Sequence, residues 1–181
     1  ELPYVEQDTY RIITTERGLK IGLYGGFFQV DVKKVEQAVA EMKRQGAELI
    51  VMAIHWGIEG YYRPNAEQEQ LAHQLIDLGV DIVYGSHPHV LQRVEQYNGG
   101  IIYYSLANFS FGGNHFPRDM DTVILQQQVL RKKDGTVTLG TLTPIPACVS
   151  SQRPQNDFQP TPYEEGTEDY TRVLQKLELE E

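Results

Sequence analysis

The chain has 181 residues, 40% hydrophobic and 23% charged, enough for one domain with a core of its own; two would be crowded. Sixteen basic residues against twenty-five acidic ones leave a net charge of −9, which repels phosphate backbones and disfavours nucleic acid as a partner. The single Cys148 excludes an internal disulfide and a cysteine-built zinc site, and no run of about 18 apolar residues offers a membrane span.

In chain order, Tyr10 to Thr15 and Leu19 to Tyr24 are β-rich runs around Glu16-Arg17-Gly18, a predicted hairpin whose second strand ends at Gly25-Gly26. Asp31 is an N-cap for a helix in which Val32, Val35, Val39 and Met42 recur at three- and four-residue spacing, with Ala38 beside them, ending near Gly46. Leu49 to Ile54 is continuously apolar, as for a strand buried on both faces of a parallel sheet. Asn65 with Gln68 three positions later forms a capping-box start to a second helix, with Leu71, Ala72, Leu75 and Ile76 as its buried stripe. His73 falls off that stripe and is expected to face solvent. Gly79 closes the helix and Val80 to Tyr84 is the next buried strand, so this half reads as a parallel βαβαβ unit in an α/β fold.

After residue 90 the pattern changes to antiparallel strands. Val90 to Tyr97 and Ile101 to Leu106 flank Asn98-Gly99-Gly100, and Thr122 to Arg131 and Val137 to Leu142 flank a turn containing Asp134-Gly135. Residues 150–166 lose periodicity and read as an extended polar arm. Thr167 caps a last short helix with Tyr170, Val173, Leu174 and Leu177 on one face. The expected division is a domain over residues 1–149 and an arm with its helix over 150–181.

Gly85-Ser86-His87-Pro88-His89 follows one buried strand. Pro88 favours an extended conformation at His87, so the two imidazoles are expected to project from a stiff, nearly straight backbone. His55 follows directly on another buried strand. In open α/β sheets, ligand sites gather beyond the carboxyl ends of parallel strands, so His55, His87 and His89 are expected on one rim. Neutral imidazoles suit borderline divalent metals such as manganese, iron or zinc. The plainer alternatives are a surface turn for His87 and His89 and a strand-capping hydrogen bond for His55. Glu59, in the loop after His55, is a ligand, a general base or simply a solvated carboxylate. Asn108 holds a ligand through its amide or stabilises a turn. His115 and Asp119 are further candidates in a glycine-containing loop. The set is short of the carboxylates that a two-metal hydrolase uses to bridge its cations.

Several motifs in order carry a family resemblance: His55-Trp56-Gly57-x-Glu59, Pro64, Gln70, Leu75-Ile76-Asp77-x-Gly79-x-Asp81-Ile82-Val83-x-Gly85-Ser86-His87-Pro88-His89-Val90-x-Gln92, Glu95-x-Tyr97-x-Gly99 and Tyr104-Ser105-Leu106-x-Asn108-Phe109. Over roughly residues 19 to 111 the chain resembles the poly-γ-glutamate capsule biosynthesis protein CapA family. The resemblance implies a calcineurin-like metallophosphatase fold, an α+β sandwich, with His55 as the family's isolated metal-site histidine and His87 and His89 as its paired ones. The family's Gly-Asp strand end and Asn-Asn-His segment are not in this sequence. The chain is thus expected to hold the C-terminal portion of the domain and the histidine half of a metal site.

The implied setting is the bacterial cell surface or exterior, in biosynthesis, export or anchoring of poly-γ-glutamate. The alternative is a metal-dependent hydrolase of phosphoester or amide bonds that needs the N-terminal half. Implied partners are an anionic envelope polymer, other polymer-synthesis subunits, the missing half or a second copy. The chain opens on Glu1 rather than Met, so a signal or anchor is expected upstream if the protein has one. Two departures are local: Ala107 replaces the family's Gly before Asn-Phe, and Gly60 replaces a usual aromatic.

Overall fold

The computed structural model describes residues 6–179; residues 1–5 and 180–181 lie outside it. Its elements are β1 (Tyr10–Thr14), β2 (Lys20–Phe27), α1 (Val32–Arg44), β3 (Leu49–His55), α2 (Ala66–Asp77), β4 (Ile82–Ser86), β5 (Val94–Tyr97), β6 (Gly100–Tyr103), β7 (Asp121–Arg131), β8 (Val137–Cys148), β9 (Thr161–Pro162) and α3 (Glu168–Lys176). Six strands form a mixed sheet in the order β1-β2-β3-β4-β6-β5, and three form a second sheet, β7-β8-β9.

The helices begin where their caps predict. Asp31 accepts from the backbone of Lys33 and Lys34, and Asn65 and Gln68 form the reciprocal capping box. Both helices cover one face of the large sheet. Val35, Ala38, Val39 and Met42 of α1, with Ala72, Leu75 and Ile76 of α2, pack on Ile50, Met52, Val83 and Ile102. Alternate residues of the same strands, Leu49, Ile82, Ile101 and Tyr103, face the other way and pack against Leu125, Val129, Leu139 and Leu142 of the second sheet. The result is an α/β sandwich with helices outside one sheet and a small antiparallel sheet on its other face.

Several strand limits differ from expectation. Gly25-Gly26 does not end β2; the strand runs to Phe27, pairing Gly26 with Ile54 and Phe27 with His55. A Cβ on Gly26 would lie 2.7 Å from Met52 Cε and 3.1 Å from Val30, so a larger residue there would push the end of the Met52 side chain aside. β6 is parallel to β4, so the parallel core extends past residue 90, and within the large sheet only the edge strands β1 and β5 run antiparallel to their neighbours. β8 continues beyond Leu142 to Cys148 through Pro144 and Pro146. Residues 150–166 are not the extended arm expected: residues 150–157 bend back on themselves, with Asp157 accepting from Ser150 Oγ and Ser151 N, Asn156 is buried, its N–H donates to His115 O, and β9 pairs with β8. α3 closes a third cluster, with Val173 and Leu177 against Leu91 and Val123. β7 has one free edge among the described residues, with Ile124 and Leu130 exposed on that strand.

Candidate metal centre

The carboxyl ends of β2, β3 and β4 meet at one rim, and the candidate histidines stand there. His55 is the last residue of β3; His87 and His89 follow β4 directly. Two contacts lock the strand ends together. Trp56 N donates to Ser86 O at 3.0 Å, and Trp56 Nε1 donates to Tyr104 O at 2.9 Å. The indole passes over Gly85, where a Cβ would sit 2.2 Å from Nε1 and 2.1 Å from Tyr104 O, so no side chain fits.

The turn carrying the paired histidines is not straight. His87 has φ +101° and His89 φ +57°, left-handed values that a side chain resists, and Ala107 before Asn108 has φ +60°. The expectation of an extended His87 is corrected: Pro88 restrains the residue before it, but the close approach of β3 and the loop after β6 imposes a sharper turn. Strain of this kind persists where surrounding contacts over-determine the backbone, and here it aims both imidazoles into one space.

One ligand atom each from Glu59, His87 and His89 lies within 4.8 Å of the others. His55 adjoins this trio without joining it, with its ring centroid 4.6 Å from that of His87. Hydrogen bonds fix two tautomers. Asn108 Oδ1, which can only accept, lies 2.6 Å from His89 Nδ1, so Nδ1 carries the proton and Nε2 is left with its lone pair, 4.0 Å from Glu59 Oε1. Ser86 Oγ donates to Ile54 O and accepts from His55 Nδ1 at 3.1 Å, leaving His55 Nε2 bare as well. Burial lowers the His55 pKa, helped by the neighbouring His87 and His89 and opposed by Glu59, so its imidazole is neutral at neutral pH. Neutral rings with lone pairs at Nε2 and a carboxylate beside them fit a borderline divalent cation.

Aromatic side chains that the sequence reading missed wall this space. Phe27 stacks on His55, Phe28 meets His55 and His87 edge-on, and Phe111 lies against His89. The sequence signal for Phe27 and Phe28 was their place after Gly25-Gly26, where β2 ends, and that for Phe111 its place three residues after Asn108. Ser86 was likewise overlooked as the partner of His55. His115 and Asp119 are not brought to the cluster: His115 packs on Phe158, and Asp119 pairs with Lys176. His73 is half-exposed rather than simply solvent-facing. It stacks on Tyr97 and bonds Glu95 Oε1 at 2.9 Å, because β5 folds back over the exposed flank of α2.

A family model described as "Bacterial capsule synthesis protein PGA_cap" matches residues 5–113, more than half of the chain. Among curated relatives, the PGA biosynthesis protein CapA of Bacillus subtilis is 43% identical over 98 residues, covering 54% of this chain and 25% of the relative. The capsule biosynthesis protein CapA of Bacillus anthracis is 39% identical over 108 residues, covering 60% and 25%. A probable polyglutamine synthesis accessory protein of Mycobacterium tuberculosis is 36% identical over 66 residues, covering 36% and 17%. The chain thus spans about a quarter of the length of the two CapA relatives.

Among solved structures, the sulfate thiohydrolase SoxB of Thermus thermophilus, in complex with glycerol, superposes with a TM-score of 0.54 at 15% identity, covering 82% of this chain and 26% of that one. That likeness concerns the fold alone and agrees with the α/β sandwich described above. By the extent of the family match, the chain belongs to the bacterial capsule synthesis protein PGA_cap family.

Proposed function

We propose that this chain supplies the histidine side of a divalent-metal centre in a CapA-like protein that serves biosynthesis, export or anchoring of poly-γ-glutamate at the bacterial cell surface. The observation that carries the reading is the convergence of Glu59, His87 and His89 ligand atoms, with His89 held by Asn108 in the tautomer that leaves Nε2 free. His55, His87 and His89 are the ligands in this reading; Glu59 is a fourth ligand or a general base, and Asn108 orients His89. A cation of the manganese, iron or zinc type bound there would supply Lewis acidity to a phosphoester or amide bond. The chain's own residues leave Nε2 bare on His55 and His89, place His87 between them, keep a carboxylate at the opening and wall one side with Phe27 and Phe28.

A second reading is a metal-dependent hydrolase completed by residues outside this chain. It is favoured by the donor set: among the described residues the cluster contains one carboxylate, where a pair of bridged cations calls for more. The partners follow from the same reading: an anionic polymer or the subunits that make it, and a further portion of the domain packed along the free edge of β7.

Titration of the chain with manganese and zinc, read by calorimetry and metal analysis, tests the centre. The expected result is weak one-site binding that disappears when His87 and His89 are both changed to Ala. Undiminished binding in the double variant would refute the assignment. In a longer form of the protein, an enzyme loses hydrolysis with the same pair of changes, whereas a binding platform keeps its hold on the polymer.

A further inference from the structure

Beside His89 lies a cavity of about 440 Å³ whose lining includes Glu59, Asn108, Phe111, Asn114 and Arg118. Arg118 is its one permanently cationic wall residue. Unlike Arg93, Arg131 and Arg172, which each sit in an ion pair, Arg118 has no carboxylate within 4.0 Å among the described residues. Its position is specific. Nη1 lies over Gly60, where a Cβ would come within 2.8 Å of it, so the guanidinium occupies room left by the missing side chain.

Gly60 N donates to Pro88 O at 2.8 Å, which ties this resting place to the turn bearing His87 and His89. The base of the arginine is anchored too. The adjacent Asp119 pairs with Lys176 of α3, and its side chain is only 8% exposed. Asn108, which lines the same cavity, uses its amide oxygen on His89 Nδ1, leaving its NH₂ hydrogens as donors.

We propose that this cavity is an oxyanion subsite, in which the Arg118 fork and the Asn108 amide hold a carboxylate or phosphate group of the substrate next to the candidate metal centre. A planar guanidinium fork and an amide NH₂ lining one cavity are donors that a carboxylate or phosphate accepts from. The subsite rests on the metal reading in one respect: Glu59 repels an anion until a cation compensates it. The test removes that dependence.

The full 181-residue chain carrying Glu59→Gln is freed of metal with EDTA and titrated with glutarate in one arm and inorganic phosphate in the other. Saturable binding is expected in at least one arm, and the tighter arm identifies the oxyanion. Arg118→Gln weakens it about tenfold or more, the scale of a charge-assisted hydrogen bond. Arg118→Lys, which keeps the charge without the fork, gives a smaller loss. Gly60→Ala also weakens it, because the new Cβ displaces Nη1, and since φ +75° strains an alanine there, circular dichroism checks that all three variants remain folded. Absence of saturable binding in both arms, or binding unmoved by Arg118→Gln, overturns the subsite. Zinc affinity of the otherwise unaltered chain is measured separately and should not change with Arg118→Gln. A failure of the metal centre is therefore read independently of the anion result.

Discussion

Two polar clusters lie at the ends of the loop between β6 and β7, and they are built on opposite plans. Around Asp121, which is 2% exposed, every charge has a partner: Arg172 donates from Nε and Nη2, Lys176 bridges Asp121 to Asp119, and the Tyr163 hydroxyl donates to Asp121 Oδ1 at 2.9 Å. This set joins β7, α3 and the tethered arm, and its donors and acceptors are used up on one another. Around His89, ring nitrogens stand bare, the backbone is strained, and Phe27, Phe28 and Phe111 are exposed. The satisfied cluster stabilises the fold; the unsatisfied one keeps its binding capacity for something outside the chain.

The largest test of that contrast is Asp121→Ala, which removes one of the two carboxylates held by each of Arg172 and Lys176 and leaves the Tyr163 hydroxyl without its acceptor. Urea denaturation should show a loss of about 3 kcal/mol, and a change under about 1 kcal/mol would break the comparison. The same carboxylate predicts acid sensitivity. Burial pushes its pKa up, but hydrogen bonds from Arg172 and Lys176, the charge of Lys176 and the Tyr163 hydroxyl outweigh burial and hold it at about 2, against 3.8 ordinarily. Because the folded value is the lower one, the unfolded chain takes up its proton first. The contribution, about 2 kcal/mol, is therefore complete above about pH 3.8 and lost as pH falls toward about 2. Denaturation midpoints across that window should fall more steeply for the wild-type chain than for Asp121→Asn.

At the rim the expected effects on stability are smaller and those on ligands specific. Asn108→Ala frees the His89 tautomer and should cost about tenfold in zinc affinity, with stability changed by less than about 1 kcal/mol. His87→Gly relieves φ +101° and should leave stability unchanged or raise it by about 0.5–1 kcal/mol while metal binding falls. A marked loss of stability in that variant would place His87 in the structural class with Asp121.

The helices and the parallel core were legible because the caps at Asp31, Asn65 and Thr167 and the apolar spacing act locally. β8 beyond Leu142 was not, because Pro144 and Pro146 argue against a strand and are tolerated only through pairing with distant β7. His73 was misplaced because its environment is made by β5, more than twenty residues away. The rim position of His55, His87 and His89 followed from the strand-end rule, whereas the sharp bend at His87 depends on contacts of three elements. Arg118 carried no pattern at all; its standing comes from the space above Gly60.

The hairpin turns have one further consequence. The turns at Glu16-Arg17-Gly18, Asn98-Gly99 and Lys132 to Thr136 gather at the amino ends of the parallel strands, opposite the histidines, as the bonds from Arg131 to Gly18 O and Glu48 and from Asn98 to Asp77 indicate. Nothing packs over Gly18, Gly99 or Gly135, and because their φ values of +75°, +83° and +87° suit glycine, an attachment belongs on the polar residues beside them. That end can carry a fluorophore, an affinity handle or a surface linkage without touching the rim, so the molecule can be immobilised in a chosen orientation with its histidines facing solution.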